Sequence, residues 1–580
     1  MRTRIVLGAA LVIALVAAGS AVGAPPGGTL EFRISFASNV RSDPATGRVY
    51  VIVSSDAKPD PRFQVDILGP PFWGKDVSDV APGQQMTIDT GTDVYGYPLT
   101  SVDQLPDGDY TVQAFLNVYT TFTRSDGSVV QLHMPCGDGG YFLDSPGNLY
   151  SAPVQMHLSP SAGPVNVTLD QAIKPSDPVP NGGTCQQGNP KPSPHVKHVK
   201  IESKMLTTYW GQPMYIGANV LLPEGYRASA NAGVRYPTVF LQGHFPFGNP
   251  FGFKENLGNT FSAWWTSAAA PRVIVVEFRH ENPFFDDSYA VNSANLGPYG
   301  DAMVKELIPV LERRFRMIGR PWARTVTGGS TGGWEAIAQQ VFHPSFYGGS
   351  WVLCPDPVDF RYHQLVNVYT ADNAYFTPYE WEQVPRPSAR EVPGDTIWTM
   401  EQENHWELAL GTNGRSQLGQ WDIWQAVFGP QGEDGYPAPI WDKATGAIDH
   451  AVAAQWRPMD IRWYLHKHWA SLGPKLAGKI KVWVGDDDTF FLNDAVELLQ
   501  DFLDGVHNPA ADAEFHYGRN KPHCFGPYGA KLVGMMAHAM AANAPTGANA
   551  AAWLTALPIA AAPPGRPTSE EAYGPRGAGR

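Results

Sequence analysis

Basic residues are in short supply in this chain. Lys and Arg number 42 against 55 Asp and Glu, the formal net charge is −13, and no long basic run occurs. That balance argues against nucleic acid and anionic membranes as partners. It reads as solubility rather than as a bound cation. Past Ala24 no apolar run is long enough to cross a bilayer, so no membrane span is predicted for the mature chain. Internal repeats are absent, and so are metal-ligand spacings. His195 and His198 end a Pro/Gly-rich stretch with no further ligands nearby and read as solvated linker side chains. The triplet Asp486, Asp487 and Asp488 matches no calcium loop. Cysteine is limited to Cys136, Cys185, Cys354 and Cys524. Four cysteines allow three pairings. Proximity along the chain favours Cys136 with Cys185 and Cys354 with Cys524.

What is present divides the chain into parts. Arg2 and Arg4 precede an apolar run from Ile5 to Ala18, and small residues follow to Ala24. Residues 1–24 are therefore expected to be a signal peptide, and the protein to be secreted or periplasmic, where disulfides are permissible. At 580 residues with 43% hydrophobic content, the rest has material for two domains with sizeable cores. Residues 29–170 alternate over short distances in "TLEFRISF", "RVYVIVS", "FQVDIL", "DYTVQAFLNVY", "PVQMHL" and "PVNVTL". These predict strands and a small all-β sandwich. Residues 171–198 read as a Pro/Gly-rich linker.

From residue 199 to about 545 the texture changes. "YPTVFLQGH" and "RVIVVEFRH" are continuous apolar runs, as in parallel strands buried on both faces. Helical stretches separate the later strands, which implies an α/β fold with a mainly parallel sheet and helices on both faces. Pro309 is expected to kink or shorten the helix around "DAMVKELIPVLERRF". Residues 356–468, rich in Trp, Tyr and Pro, read as a cap inserted over the carboxyl edge of the sheet. Residues 546–580 read as a disordered tail.

The chemistry centres on "VTGGSTGGWEA". Gly328-Gly329-Ser330-Thr331-Gly332 fits G-x-S-x-G between a predicted strand and a predicted helix. In that context Gly328 and Gly332 permit a tight turn that lifts the Ser330 hydroxyl to a helix N-terminus. The Thr331 N–H is then an oxyanion donor. A serine needs a base, and the base an orienting acid. Asp488, after "KIKVWVG", is the preferred acid, with Asp486 and Asp487 assigned to the turn. His523, in a Pro/Gly-bounded loop after the last strand, is the preferred base over His516 and His507. The second oxyanion donor is sought in the loop carrying His244 and Phe245, with the Phe245 N–H preferred. Trp334 behind the serine and Trp406, Trp421 and Trp424 in the insertion are candidate lining for a substrate pocket, alongside His244. Core packing is the competing reading for each tryptophan.

Six stretches together resemble the esterase D / feruloyl esterase type of α/β-hydrolase. They are "ANVLLPEGY", "YPTVFLQGHF", "GPYGDAMVKELIPVLERRFR", "VTGGSTGGWEA", "VGDDDTF" and "KPHCFG", spread over about residues 199–532. The resemblance implies an α/β-hydrolase fold and roles for Ser330, Asp488 and His523 as nucleophile, acid and base. It implies no metal and no organic cofactor. Two departures stand out. Gly243-His244 replaces the His-Gly usual after the third strand, and the insertion matches none in the relatives. The expected activity is hydrolysis of a carboxylic ester, free or linked to a polysaccharide. A serine peptidase or an acyltransferase on the same fold, and a non-catalytic polysaccharide-binding protein, are the rivals.

Overall fold

The computed structural model describes residues 28–138, 140–176, 182–243, 248–548, 550 and 553–554. The expected signal peptide, most of the expected tail, and His244 and Phe245 lie outside the described residues.

The N-terminal part is all-β. Ala162–Leu169, Gly28–Phe36 and Met86–Ile88 make a three-stranded sheet, and Ala45–Ser54 lies within a seven-stranded one between Phe72–Val80 and Gly108–Val118. Successive strand side chains point to opposite faces. Phe32, Ile34 and Phe36 therefore meet Val49, Val51, Val53 and Leu116 in a dry layer between the sheets. Tyr50, Ile52 and Phe115 point the other way, against Ala409 and Leu410 of the C-terminal half. "RVYVIVS" is buried along its whole length because each face has its own cover. One expected strand is corrected: "FQVDIL" is a short helical turn at Pro61–Gln64 followed by irregular chain. Proline brackets it on both sides and cannot donate to a ladder. The Gln64 amide instead donates to the Asp56 and Pro59 carbonyls.

The stretch expected to be a linker is tied down. Gln171–Ala172 pairs with Leu149–Tyr150, Cys185 is bridged to Cys136, and a strand begins at Val196. His198 sits on that strand beside Asn219, and His195 lies between Glu224 and Glu255, so neither is a loose linker side chain. The proline content rules out helix there without leaving the chain free.

The second part is built on a mixed, mainly parallel sheet of eight strands. In chain order they are β1 (Val196–Glu202), β2 (Tyr215–Leu221), β3 (Thr238–Gln242), β4 (Ile274–Arg279), β5 (Arg324–Gly329), β6 (Ser350–Leu353), β7 (Ile480–Gly485) and β8 (Glu514–Gly518). Their spatial order is β1-β2-β4-β3-β5-β6-β7-β8. β1 and β2, and β2 and β4, pair antiparallel; the rest of the sheet is parallel. Val239 and Leu241 of β3 pack on one face and Phe240 on the other, which explains the continuous apolar runs. The helix around Pro309 continues through the proline but loses its α-helical regularity just before it. A π-helical turn at Met303–Leu307 precedes Ile308–Arg314, and such a turn relieves the clash between a proline ring and the preceding turn.

Helix Ile461–Leu476 runs across 468, the expected end of the insertion, and packs on the helix after β5. At the far end Trp553 is not part of a free tail. Its indole donates to the Arg235 carbonyl and its ring lies beside Trp322. No helix among the described residues is long and apolar enough to cross a membrane.

Candidate active site

Three loops at the carboxyl edge of the parallel strands converge on one serine. β5 ends at Gly329 and helix α1 (Thr331–Phe342) begins one residue later. Between them Ser330 holds φ 57° and ψ −125°, a conformation costing about 1–3 kcal/mol in a non-glycine residue. Close backbone contact makes the flanking glycines obligatory. A Cβ on Gly328 would stand 2.2 Å from the Gly332 carbonyl oxygen, and one on Gly332 would stand 2.4 Å from that of Gln242. The turn is held from the neighbouring strand, because the Ser330 N–H donates to the Leu353 carbonyl at 3.1 Å.

His523 follows β8. Its Nε2 is 2.9 Å from Ser330 Oγ and its Nδ1 is 2.8 Å from Asp488 Oδ2. Asp488, fully buried after β7, accepts from the backbone N–H groups of Phe490 and Leu492 through its other oxygen. Both oxygens are thus engaged, which fixes the carboxylate and aims it at the ring. Phe490 stands edge-on to the imidazole at 5.0 Å. Burial alone would lower the His523 pKa. The Asp488 charge and hydrogen bond, with a contribution from Asp356, outweigh burial, and the imidazole rests above its ordinary value. The other histidines are elsewhere: His516 stacks on Trp483 and His507 forms a bridge with Ala510. Asp486 accepts from the Asn520 N–H in the turn.

The Cys354–Cys524 disulfide joins the end of β6 to the residue after His523. Cys136 and Cys185 form the other bridge, so proximity selects the right pairing in both cases. Cys354, His523 and Cys524 are close enough together to suggest metal ligands. The two sulfurs are bonded to each other, however, and a zinc site of that kind needs thiolates.

The tryptophans divide sharply. Trp334 is fully buried against Tyr289 and Phe428 behind the serine and is core, not pocket lining. Trp406, on helix α2 (Met400–Leu410), packs toward the sandwich with Tyr50 and Phe72. Trp421, on helix α3 (Gln420–Phe428), is buried against His363 and Trp441. Only Trp424 reaches the site, donating to Asp356 Oδ2 at 3.3 Å. Trp424 shares its helix face with Gln420, four residues earlier, which reaches Asp356 as well.

Asp356, Tyr289 and Gln420 are site residues that the sequence reading did not single out. Asp356 Oδ1 lies 3.4 Å from Ser330 Oγ. A legible signal existed: Asp356 follows a parallel strand at its carboxyl end, where α/β sheets bind ligands.

With this geometry in view, the comparisons with known proteins fall into place. The family described as "Putative esterase" matches residues 212–538, more than half of the chain. The chain belongs to this esterase family. It is an α/β-hydrolase with an additional all-β region and a hydrolase of carboxylic esters. No curated protein matches it. Among solved structures, an S-formylglutathione hydrolase from Staphylococcus aureus is 14% identical, with 60% of this chain and 99% of that one covered and a TM-score of 0.32. A fluorophosphonate-binding serine hydrolase from Staphylococcus aureus is 12% identical over 60% and 98%, with a TM-score of 0.34. A ferulic acid esterase from Anaeromyces mucronatus is 12% identical over 61% and 92%, with a TM-score of 0.26. At these scores the structures carry no argument of their own, and the family match alone makes the assignment.

Proposed function

We propose that this esterase is an exported enzyme that works through an acyl-enzyme on Ser330. His523 Nε2 takes the hydroxyl proton as Ser330 Oγ bonds to the ester carbonyl carbon. The tetrahedral intermediate collapses, the C–O bond to the alcohol breaks, and the proton passes from His523 to the departing oxygen. Water then repeats the cycle and frees the acid. Asp488 orients the ring and stabilises its cation. The Thr331 N–H at the head of α1 receives the oxyanion, with the Phe245 N–H as the second donor. One observation carries this reading: an unbroken relay from Asp488 through His523 to Ser330, ending at a helix N-terminus. The N-terminal leader pattern and the two disulfides support export.

The neutral imidazole is the base, so a raised pKa moves loss of activity toward neutrality. The acid limb of kcat/KM is expected above the range of an ordinary histidine. The deciding experiment is covalent labelling by a fluorophosphonate probe together with hydrolysis of p-nitrophenyl esters. Wild type is expected to do both and Ser330→Ala neither. A Ser330→Ala protein that keeps wild-type hydrolysis removes the proposal. Peptide anilides, and an added acceptor alcohol, separate esterase from peptidase and transferase activity.

A further inference from the structure

Four side-chain hydrogen-bond donors from three separate segments converge on the Asp356 carboxylate, beside Ser330. Tyr289, in the loop after β4, donates its hydroxyl to Asp356 Oδ2 at 2.6 Å, and the Thr331 hydroxyl of α1 does so at 2.9 Å. From the cap come the Trp424 indole at 3.3 Å and the Gln420 amide at 3.4 Å, one turn apart on α3. Asp356 itself follows β6 and directs its own backbone N–H to the Ser330 carbonyl. The carboxylate is 3% exposed, and its Oδ1 faces Ser330 Oγ. Orienting His523 does not require it, because Asp488 holds the other ring nitrogen.

A carboxylate so placed works against an ester that offers it nothing. Negative charge grows on the carbonyl oxygen in the transition state, and a nearby anion repels it. A hydrogen-bond donor on the acyl carbon next to the carbonyl reverses that effect. Once Oγ is bonded to the carbonyl carbon, a substituent on the adjacent carbon sits roughly 3 Å from Oγ by ordinary bond lengths. With Oδ1 3.4 Å from Oγ, a substituent turned toward Asp356 comes within hydrogen-bond reach, about 2.8 Å, of that oxygen.

We propose that Asp356, held by Tyr289, Thr331, Gln420 and Trp424, is the acyl-recognition subsite of this enzyme and selects esters of acids bearing a hydroxyl or ammonium group on the α-carbon. The inference rests on Ser330 being the nucleophile. It assigns the cap a chemical task, since α3 supplies two of the donors that fix the carboxylate.

The test is an isosteric series of ethyl esters followed by acid release: isobutyrate, (S)-lactate and L-alanine. They place methyl, hydroxyl and ammonium at the same position. In wild type, kcat/KM for the lactate or the alanine ester is expected to exceed that for isobutyrate by about tenfold or more, the usual effect of one charge-assisted hydrogen bond. Which of the two leads identifies the donor. In Asp356→Asn the ratio is expected to fall to within about twofold, because a charged acceptor becomes a neutral one. Wild type that cleaves isobutyrate as fast as both others overturns the subsite without any variant. So does an Asp356→Asn protein that takes up the fluorophosphonate and keeps the wild-type ratio. If wild type is not labelled and cleaves none of the three, the nucleophile assignment itself fails. Labelling of Ser330 without cleavage of any of them removes only the subsite.

Discussion

Helix α1 starts at the site with its first N–H groups open, whereas helix α2 ends in the cap with its last carbonyls taken. At Thr331 and Gly332 no backbone acceptor is found among the described residues. At the other helix the sandwich reaches across. Arg48 donates to the carbonyls of Leu408 and Ala409, and the Tyr50 hydroxyl donates to that of Leu410. Every helix leaves such groups unsatisfied at each end. Here the open end lies beside Ser330, where the proposed reaction would develop charge, and the closed end lies where two halves of the molecule meet. The contrast assigns the sandwich a role: it closes and anchors the cap helix. Arg48 suits the place twice over, being a cation at the negative end of a helix and an ion-pair partner of Asp76 at 3.0 Å. Arg415 of the cap reaches the same carboxylate at 2.7 Å.

The sharpest way to break this contrast is at the open end. Asp488→Asn is expected to keep the fold and lower kcat by about 10⁴, through the wrong tautomer of His523; steady-state kinetics beside a melting curve check it. At the closed end the opposite pattern is expected. Arg48→Ala should cost about 3 kcal/mol of stability by stranding buried carbonyls and half of an ion-pair network. KM should rise while fluorophosphonate labelling survives. An Arg48→Ala protein with unchanged KM and midpoint would end the anchoring account.

The two disulfides refine the comparison. Replacing either pair by alanine is expected to remove about 2–4 kcal/mol, read as a denaturant midpoint. Only the Cys354/Cys524 replacement should also lower kcat, because it frees the loop carrying His523; loss of Cys136–Cys185 should leave kcat alone. A further effect, visible only as a pH dependence, is expected at Glu277 on β4, whose carboxyl is pushed up to about 8 by burial. A proton held by the folded state and not by the unfolded one makes stability fall as pH rises between the two pKa values. Glu277→Gln is therefore expected to be stabilised relative to wild type at pH 9 and to show no such gain at pH 4. Melting temperatures at the two pH values decide it.

Some of this was written locally. The turn at Ser330 needed glycine on both sides and a strand-to-helix boundary, and each leaves a mark within a dozen residues. Asp488 and His523, which lie in line with Ser330, each follow a strand, and that position is visible in the sequence. The cysteine pairing followed from proximity. The tryptophans were not legible. A tryptophan on a helix looks the same whether it faces the sandwich, as Trp406 does, the core, as Trp421 does, or the Asp356 carboxylate, as Trp424 does. The strand assigned to "FQVDIL" failed because alternation describes side chains, while proline removes the ladder that a strand requires.

Sequence alone determined the all-β start, the α/β continuation, the glycine-flanked serine and the types of residue that attend it, because these depend on local sterics and on residue order. Tertiary structure alone decided that Asp356, Tyr289, Gln420 and Trp424 meet beside Ser330, and that Arg48 and Tyr50 close a helix some 360 positions away. Such contacts join segments whose separation along the chain carries no periodicity. They are fixed by which faces pack together and by burial, which obliges every polar group to find a partner.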